Sequence, residues 1–597
     1  MPWPPVREVA AEFRRALPDL LGFEIVTRLL FGVLLTPLFT AITGLLLASR
    51  GEAAITNATI GGFLGSWQGV LLLVLGLGFL LFAVAAELGG ALTISAQRLH
   101  GHPRSSYRHV LRHALGRTPN LLGAGGPVIL FYLAVALPLT GAGPGISALS
   151  RVAVPQFVLA VIEKSPGLLA AYVGVVLVLL VAAVGLSYTF CFIVLGDLKA
   201  WPAVVASVRL VLARPGVWWR EYLAPVIVAG FVVGLVGALW AVVALGLVAL
   251  LEGHEDALWP VGAGLFLLQQ LGVGLLSLLV IPFQVQRLVV AYHKALPGSG
   301  VPDLAAKARP SRLDRLLARP RTLLAVALGL VAALAWPGGL ALREALGVRQ
   351  PTTLVAHRAG GDGAPENSLA GLEYALAQRA DMVEVDTQRT ADGAYILNHD
   401  DTFARLAGDP RRPDEMTLAE VKALTLAGSA ERVPTLEEFL LAARGRMPVM
   451  VELKGATADA RMGEDVVALV ERLGMREQVV LMSLNYPLVT GLERAHPDVT
   501  TAFGYFWSLG DVSVIGADAI LLEEGEASLE RLVGLAVTGK KSYVWTVNEP
   551  VTMQLVAARG AGGIITDEVE EGRRVLDGRA TMGTPDAIRE LLFGAAD

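Results

Sequence analysis

The chain has 597 residues, of which 54% are hydrophobic and only 17% charged, and its mean hydropathy is +0.57. Soluble domains contain about 25% charged residues, so this composition excludes a protein that is soluble along its whole length. The net charge of −5 is divided unevenly, with +10 on residues 1–345 and −15 on residues 346–597. We therefore predict a membrane-embedded first half and an acidic soluble second half, without a nucleic-acid partner. The single cysteine, Cys191, excludes an intrachain disulfide and a zinc site built from cysteines.

Seven stretches of the first half are apolar over about 20 residues, the length that crosses the hydrocarbon core of a bilayer. Uncharged runs of this length in succession favour membrane-spanning helices over the alternative, a large soluble helical bundle. The third stretch has the least regular start, where three glycines precede Pro127. The predicted spans are residues 27–48, 68–94, 124–143, 167–195, 223–251, 260–286 and 322–342.

Lysine and arginine residues between the spans predict the orientation of the chain. The N-terminal segment and every second loop together contain 20 of them, whereas the intervening loops contain three. The first group is residues 1–26, 95–123, 196–222 and 287–321, and the second is residues 49–67, 144–166 and 252–259. Because basic loops stay in the cytoplasm, we predict a cytoplasmic N-terminus and, after seven spans, an extracytoplasmic second half. The protein is thus expected to be a multi-pass protein of the plasma membrane.

Short β-rich runs alternate with helical patterns along the second half. Eight such units in roughly 250 residues predict a parallel α/β barrel, the TIM barrel, over an open doubly wound sheet. No G-x-G-x-x-G turn, which would favour the open sheet, follows the first strand. The pair Asp392-Gly393 predicts a tight turn, so residues 388–400 are expected to form a hairpin inserted after the second strand. The predicted strands are residues 352–358, 381–387, 448–454, 478–484, 499–505, 518–523, 542–547 and 562–567.

The predicted fold class is thus an α-helical transmembrane domain of about seven spans followed by a TIM barrel with an inserted hairpin. The first domain is expected to occupy residues 1–345 and the barrel residues 351–580. A short linker, residues 346–350, would join them, and residues 581–597 would form a C-terminal tail.

Polar and aromatic residues end several predicted strands, where TIM barrels carry their active sites. Because alternate residues of a strand share a face, the carboxylates of this group are expected to converge in the barrel mouth. Converging carboxylates repel one another unless a cation lies between them, and oxygen ligands suit one divalent ion, Mg²⁺ or Ca²⁺. A second histidine, at the end of the hairpin, is expected near the same mouth. The residues are His357, Arg358, Glu384, Asp386, His399, Glu452, Lys454, Trp545 and Asp567.

These residues belong to motifs that resemble the glycerophosphodiester phosphodiesterase family. The resemblance covers about residues 352–577, and the preceding hydrophobic half makes the chain similar to the membrane-anchored bacterial branch. One departure is Ala359, where the family usually has glycine, and we expect Gly360 and Gly361 to supply the backbone freedom one position later. The motifs are HRAGGDGAPENS (357–368), EVDTQRTADG (384–393), NHDDTFAR (398–405), VPTLEEF (433–439), VELK (451–454), VWTVN (544–548) and IITD (564–567).

The resemblance implies an enzyme that hydrolyses glycerophosphodiesters or lipid-derived diesters to glycerol 3-phosphate and an alcohol. It implies that Glu384, Asp386 and Glu452 hold the metal, with Glu366 as a possible further ligand. It also implies that the glycerol 2-hydroxyl attacks phosphorus, giving a cyclic phosphate that water then opens.

The resemblance further implies roles for the basic residues of the site. Arg358 and Lys454 would neutralise the phosphate oxygens, the electrostatic effect that dominates phosphoryl chemistry. His357 and His399 would flank the phosphorus as acid and base, because an imidazole can do either near pH 7. The sequence leaves open which histidine does which.

Aromatic residues at two strand ends are candidates for the wall of the substrate pocket. Phe503, Tyr505 and Trp507 alternate at the end of the fifth strand, and Trp545 lies near the end of the seventh. Asp567, at the last strand end, is expected to position Lys454 or Arg358.

Two alternative functions remain open from the sequence. The first is a phospholipase D-like or cyclising enzyme that acts on phospholipids or lysophospholipids with the same metal site. The second is a transport or lipid-binding membrane module with a regulatory barrel, although the intact set of histidines and carboxylates favours an enzyme. Membrane lipids are expected partners in every case, and the sequence predicts no oligomeric state.

Overall fold

The computed structural model describes residues 6–133 apart from 53 and 58, residues 158, 159, 162 and 165–301, and residues 310–347 and 351–593. The chain forms two compact units. Most of the first 343 residues make up one unit, and residues 344 onward make up the other. Among the described residues the exception is the segment 43–70, which belongs to the second unit and which the sequence did not single out.

The first unit is helical, and its long helices are apolar enough to lie in lipid. Six helical segments of the described residues reach a mean hydropathy of 2.0 to 2.7 over a membrane-spanning length. Leu and Val side chains on these helices are widely exposed, as expected for surfaces that face hydrocarbon. The segments are Val6–Ala48, Trp67–Leu99, Pro166–Val194, Pro215–Leu250, Asp256–Ala295 and Pro320–Leu340.

Six of the seven predicted spans therefore coincide with long apolar helices. The remaining one, residues 124–143, is described only at its start, as the helix Gly126–Phe131, and residues 134–143 lie outside the described residues. Short π-helical turns interrupt three of the long helices, at Leu30–Leu35, Ala85–Gly89 and Trp219–Leu223. The other helices of this half are Ile60–Leu64, Tyr107–Gly116, Ala200–Ala213 and Arg312–Leu317.

The second unit contains a closed barrel of eight parallel strands, which confirms the predicted fold class. Each strand pairs in parallel with its neighbours, and the ring closes where Thr353–Ala356 pairs with Met382–Arg389. The barrel strands are β2 (Thr353–Ala356), β3 (Met382–Arg389), β5 (Val449–Leu453), β6 (Val479–Ser483), β7 (Thr501–Tyr505), β9 (Ala519–Glu523), β10 (Lys541–Trp545) and β11 (Gly563–Thr566).

Helices follow most barrel strands and pack on the outside of the sheet. Polar residues begin several of them: Ser368 accepts a hydrogen bond from the Gly371 N–H, and Asp459 accepts one from the Met462 N–H. Thr435 forms a capping box with Glu438, which starts a helix that the sequence did not predict. The outer helices are Leu369–Ala377, Leu436–Ala443, Ala460–Arg472, Tyr486–Ala495, Leu529–Val537, Pro550–Ala558, Val569–Thr581 and Thr584–Phe593.

The predicted hairpin is present after β3. Strand β4 (Tyr395–Leu397) runs antiparallel to the end of β3, and the turn between them contains Gly393 with a φ of 87°. The insertion continues beyond the hairpin through two short helices, Ala404–Ala407 and Leu418–Ala423, which enclose a small apolar core of their own. This larger insertion carries His399 to the barrel rim.

A second, two-stranded sheet joins a distant part of the chain to the barrel unit. Strand β1 (Ala54–Thr56) pairs antiparallel with β8 (Ser508–Gly510), which follows β7 at the carboxyl end of the barrel. β1 lies between the first two long apolar helices, in a stretch that local sequence pattern did not mark as a strand.

Candidate active site

Three carboxylates come together inside the barrel at its carboxyl end. Glu384 and Asp386 lie two residues apart on β3, and Glu452 lies opposite Asp386 on the neighbouring strand β5. One oxygen from each side chain lies within 4.8 Å of the others. Val383 and Val385 alternate with them and point outward, into the core between the strands and the helices. All three carboxylates are buried, at 1–6% exposure, so their charges are poorly screened.

Burial and electrostatic repulsion both raise the pKa of Glu384. Burial raises this pKa well above its usual value, and the charges of Asp386 and Glu452 raise it further. Oε2 of Glu384 accepts a hydrogen bond of 2.9 Å from the Arg358 backbone N–H, whereas Oε1 is buried and has no hydrogen-bond partner among the described residues. An unpartnered buried oxygen beside two further carboxylates fits a divalent cation with oxygen ligands.

Lys454, His399 and Arg358 keep Asp386 ionised, and Asn367 fixes its position. The Lys454 ammonium lies 3.2 Å from Asp386 and 3.3 Å from Glu452. Burial alone would raise the pKa of Asp386, but Lys454, His399 and Arg358 outweigh that effect and lower it. The Asn367 side chain donates to Oδ2 of Asp386 at 2.9 Å and accepts from the Asp386 backbone N–H at 2.9 Å, which ties the carboxylate and the backbone of Asp386 to one amide. Asn367 lies within the motif at residues 357–368, but the motif alone does not indicate this role.

His357, at the end of β2, is paired with Asp567. Nδ1 of His357 lies 2.6 Å from Oδ1 of Asp567, whose other oxygen accepts a hydrogen bond of 2.9 Å from the Asn548 side chain. We expected Asp567 to position Lys454 or Arg358, and the structure instead places it against the histidine. This pairing leaves Nε2 of His357 as the nitrogen available to a substrate.

His399 has a carboxylate partner of its own. Its Nδ1 lies 2.8 Å from Oδ1 of Asp400, and burial lowers the pKa of His399. Arg405 in turn binds Asp400, with Nε donating to Oδ2 at 2.8 Å. Each histidine therefore has one ring nitrogen fixed by an aspartate. The motif containing Asp400 and Arg405 was visible in the sequence, but its spacing gave no indication of these contacts.

Glu366 lies among arginines. Arg405 donates two hydrogen bonds of 2.8 Å to its two oxygens, and Arg358 donates to the same carboxylate at 3.2 and 3.3 Å. The pKa of Glu366 is lowered because the two arginines outweigh the effect of its burial. Glu366 was expected as a further metal ligand, but in this arrangement it fixes Arg358 and lies outside the group of three carboxylates.

The turn after β2 adopts left-handed backbone conformations at Arg358 and Ala359, with φ of 51° and 61°, and again at Gly361. We expected Gly360 and Gly361 to supply this backbone freedom, but Ala359 itself adopts the left-handed conformation, at a cost of about 1 kcal/mol. Its buried N–H donates to the Glu384 carbonyl at 2.8 Å, which ties the turn to β3.

The predicted pocket aromatics divide between the two faces of the barrel. Trp545 packs with the residues of the barrel interior and is partly exposed. Phe503 and Tyr505 are fully buried in the core between the strands and the outer helices, so they lie on the other face of the sheet from the carboxylates. The expectation that these two residues line the pocket is therefore corrected. Trp507, in the loop after β7, remains 39% exposed.

Comparison with known families gives two matches that together account for both halves of the chain. The family described as "Membrane domain of glycerophosphoryl diester phosphodiesterase" matches residues 6–317, which is more than half of the chain. The family described as "Glycerophosphoryl diester phosphodiesterase family" matches residues 357–571.

Individual proteins of this family are similar to part of the chain. A glycerophosphodiester phosphodiesterase of Caldanaerobacter subterraneus is 28% identical over 37% of this chain and 95% of its own length. A human lysophospholipase D is 27% identical over 27% of this chain and 55% of its own length. The crystal structure of an Agrobacterium tumefaciens glycerophosphodiester phosphodiesterase is 25% identical, with a TM-score of 0.34, and covers 37% of this chain and 99% of that one. The chain belongs to the glycerophosphodiester phosphodiesterase family and carries that family's membrane domain in front of its catalytic barrel.

Proposed function

We propose that this protein is a membrane-bound, metal-dependent phosphodiesterase that hydrolyses glycerophosphodiesters to glycerol 3-phosphate and an alcohol on the outer face of the plasma membrane. The observation that carries the proposal is the pair of aspartate-held histidines at the rim that contains the three carboxylates. Two histidines with fixed ring nitrogens supply an acid and a base, and the carboxylates supply a cation site.

Glu384, Asp386 and Glu452 would hold one divalent ion, Mg²⁺ or Ca²⁺. All their donor atoms are carboxylate oxygens, which suit these hard cations over zinc or copper. When bound, the ion would act as a Lewis acid that neutralises charge on the phosphate.

Two cations of the chain would bind the phosphate oxygens. Arg358 is fixed by Glu366 and Lys454 by Asp386 and Glu452, so both are oriented before substrate arrives. Preorganised positive charge stabilises a phosphoryl transition state without reorganisation during the reaction.

The histidines would move the protons of the reaction. The glycerol 2-hydroxyl attacks phosphorus, one imidazole takes the hydroxyl proton, and the other protonates the alcohol oxygen as its bond to phosphorus breaks. In the second step water attacks the cyclic phosphate, and the two imidazoles exchange roles. Asp567 and Asp400 keep each ring in the tautomer that presents Nε2.

Two observations support an extracytoplasmic catalytic domain. Basic residues are concentrated in the loops on the side of the N-terminus, by 20 to three. The β1–β8 pairing also requires residues 54–57 and the barrel to lie on one side of the membrane. Among the described residues, five long apolar helices lie between residues 54–57 and the barrel. Two segments on the same side of a membrane must be separated by an even number of crossings, and this condition is met only when the third predicted span, 124–143, is included.

We expect a cysteine at position 537 to be labelled from outside the cell. Val537 is 81% exposed on the barrel, and Arg112 lies on a predicted cytoplasmic loop. The test introduces Val537→Cys or Arg112→Cys and treats intact cells with a membrane-impermeant maleimide. Val537→Cys should react in intact cells and Arg112→Cys only after lysis. The native Cys191 is buried and provides the unlabelled background. The reverse labelling pattern would show that the barrel is cytoplasmic.

Product analysis tests the substrate class. We expect the purified full-length protein, with Mg²⁺ or Ca²⁺, to convert glycerophosphocholine or glycerophosphoglycerol to glycerol 3-phosphate. The second candidate is a phospholipase D-like or cyclising reaction on lysophospholipids, which similarity to a human lysophospholipase D supports. Release of lysophosphatidate or cyclic phosphate from lysolipids, with no hydrolysis of the soluble diesters, would establish this second function instead.

A further inference from the structure

We infer that the segment between the first two long apolar helices positions the substrate-facing loop of the catalytic barrel, with Asn57 as the principal positioning residue. The inference rests on the proposed hydrolytic function and assigns a role to residues of the membrane half of the sequence.

Backbone and side-chain contacts join this segment to the loop after β7. In the β1–β8 sheet, Thr56 lies opposite Ser508 and Ala54 opposite Gly510. Beyond β1, the Asn57 N–H donates to the Trp507 carbonyl at 3.2 Å, and Oδ1 of Asn57 accepts from the Phe506 N–H at 3.0 Å. Leu509 lies opposite Ile55, so every residue of the loop 506–510 pairs with or bonds to the segment 54–57.

The burial of the segment shows that it is an integral part of the barrel unit. Ile55 and Thr56 are each only 2% exposed, and Ala54 packs in the core that lies under the outer helices of the barrel. Glu52 also acts on the barrel, because its charge adds to burial in raising the pKa of Tyr486. In a surface loop that made only incidental contact with the barrel, these side chains would be exposed to water.

The loop is held from its other side by Arg531, on the helix Leu529–Val537. Arg531 donates to the Tyr505 hydroxyl at 2.9 Å and to the Ser508 hydroxyl, and pairs with Glu526 at 3.0 Å. Among the described residues, β8 pairs with β1 and with no barrel strand. Without β1 the outer edge of β8 would present unpaired backbone groups, and one of the two anchors of the loop would be lost.

The position of the loop gives this anchoring a consequence for catalysis. The loop begins directly after the carboxyl end of β7, at the rim where TIM barrels bind their substrates and where the three carboxylates lie. It carries the exposed Trp507 between its two anchors. Displacing β1 would therefore move a wall of the substrate site without touching the histidines or the carboxylates, so substrate binding should change more than turnover.

The test uses the full-length protein in lipid nanodiscs with glycerophosphocholine and saturating Mg²⁺ or Ca²⁺. Asn57→Ala removes the acceptor of the Phe506 N–H and should raise KM about fivefold, the scale of one lost hydrogen bond, with kcat changed by less than about twofold. Hydrogen exchange of residues 506–510 should become faster. Asn57→Asp keeps an oxygen acceptor and should restore both quantities. Gly62→Ala, in the same segment with open space around its new methyl group, is the matched control and should match the wild type.

A disulfide provides a test that does not depend on activity. Thr56→Cys and Ser508→Cys lie directly opposite one another, a spacing that fits a disulfide, and should cross-link on oxidation, whereas Thr56→Cys alone should not. Failure of the pair to cross-link, or unchanged KM and exchange in Asn57→Ala, would overturn the inference. A fall of kcat and melting temperature with constant KM would also overturn it, because it indicates a merely structural role. An inactive wild type would contradict the proposed function, and the cross-link and exchange would still decide the positioning role.

Discussion

Replacing His357 or His399 with alanine is expected to lower kcat by at least about 10²-fold, the scale of lost acid or base catalysis. Each ring has its Nδ1 fixed by an aspartate, at 2.6 Å for His357 and 2.8 Å for His399, so each presents the other nitrogen to the substrate. The measurement is steady-state hydrolysis of the preferred glycerophosphodiester by the purified full-length variants.

The control for the histidine variants is His496→Ala. His496 lies before β7, at the opposite end of the barrel from the carboxylates, and bonds to Glu464 on the surface. Its replacement removes an imidazole and its contact with Glu464 without touching the rim, so turnover should stay near the wild-type value. Near-normal turnover of His357→Ala or His399→Ala would show that the histidine in question has no acid or base role.

Removing any one of the three carboxylate charges is expected to raise the metal concentration at half-maximal activity by at least about tenfold. Replacing a residue that only orients a metal ligand typically costs 10- to 100-fold in affinity or activity, and loss of a direct ligand should cost no less. The variants are Glu384→Gln, Asp386→Asn and Glu452→Gln, each measured in a titration with Mg²⁺ or Ca²⁺ after chelation. Glu373→Gln, on an outer helix where Glu373 pairs with Arg446, is the control and should leave the midpoint unchanged. Full activity in excess chelator, with no metal in the protein, would exclude this site.

The same titration should depend on pH in a defined direction. The pKa of Glu384 is raised in the metal-free protein, first by burial and then by Asp386 and Glu452, so this carboxyl keeps its proton to higher pH than an exposed glutamate. A cation must displace that proton, so the metal midpoint should rise as the pH falls, by up to about tenfold per pH unit for one proton released. In Glu384→Gln this dependence should weaken, because glutamine carries no titratable group.

The expected location of the site follows from features that local sequence carries. The sequence predicts Glu384, Asp386 and Glu452 in the barrel mouth, because alternate strand residues share a face and TIM barrels carry their active sites at strand ends. The predicted lengths of strands and helices also rest on local hydrophobic patterns. The left-handed conformation of Ala359 was not predicted, because the neighbouring glycines offered a less strained alternative.

The hydrophobic pattern of β7 does not predict the direction of the Phe503 and Tyr505 side chains. A strand of a parallel barrel is buried on both faces, one against the interior and one against the helices. Hydrophobic residues therefore occupy both faces, and the pattern on β7 does not say which residues point inward. The pairing of β7 with β6 and β9 decides this, and it directs Phe503 and Tyr505 toward the helices.

The membrane-embedded half, the barrel and the strand-end residues can be predicted from the sequence, because hydrophobicity, its period and strand-end position are local properties. Which of these residues act on one another depends on how the chain folds. Asp567 reaches His357 across 210 residues, Arg405 reaches Glu366 across 39, and Asn57 reaches Phe506 across 449. Such contacts depend on closure of the barrel and on the path of the chain between its two halves. Local pattern carries no information about them, because each pair is formed by elements that are far apart in sequence and meet only in the folded protein.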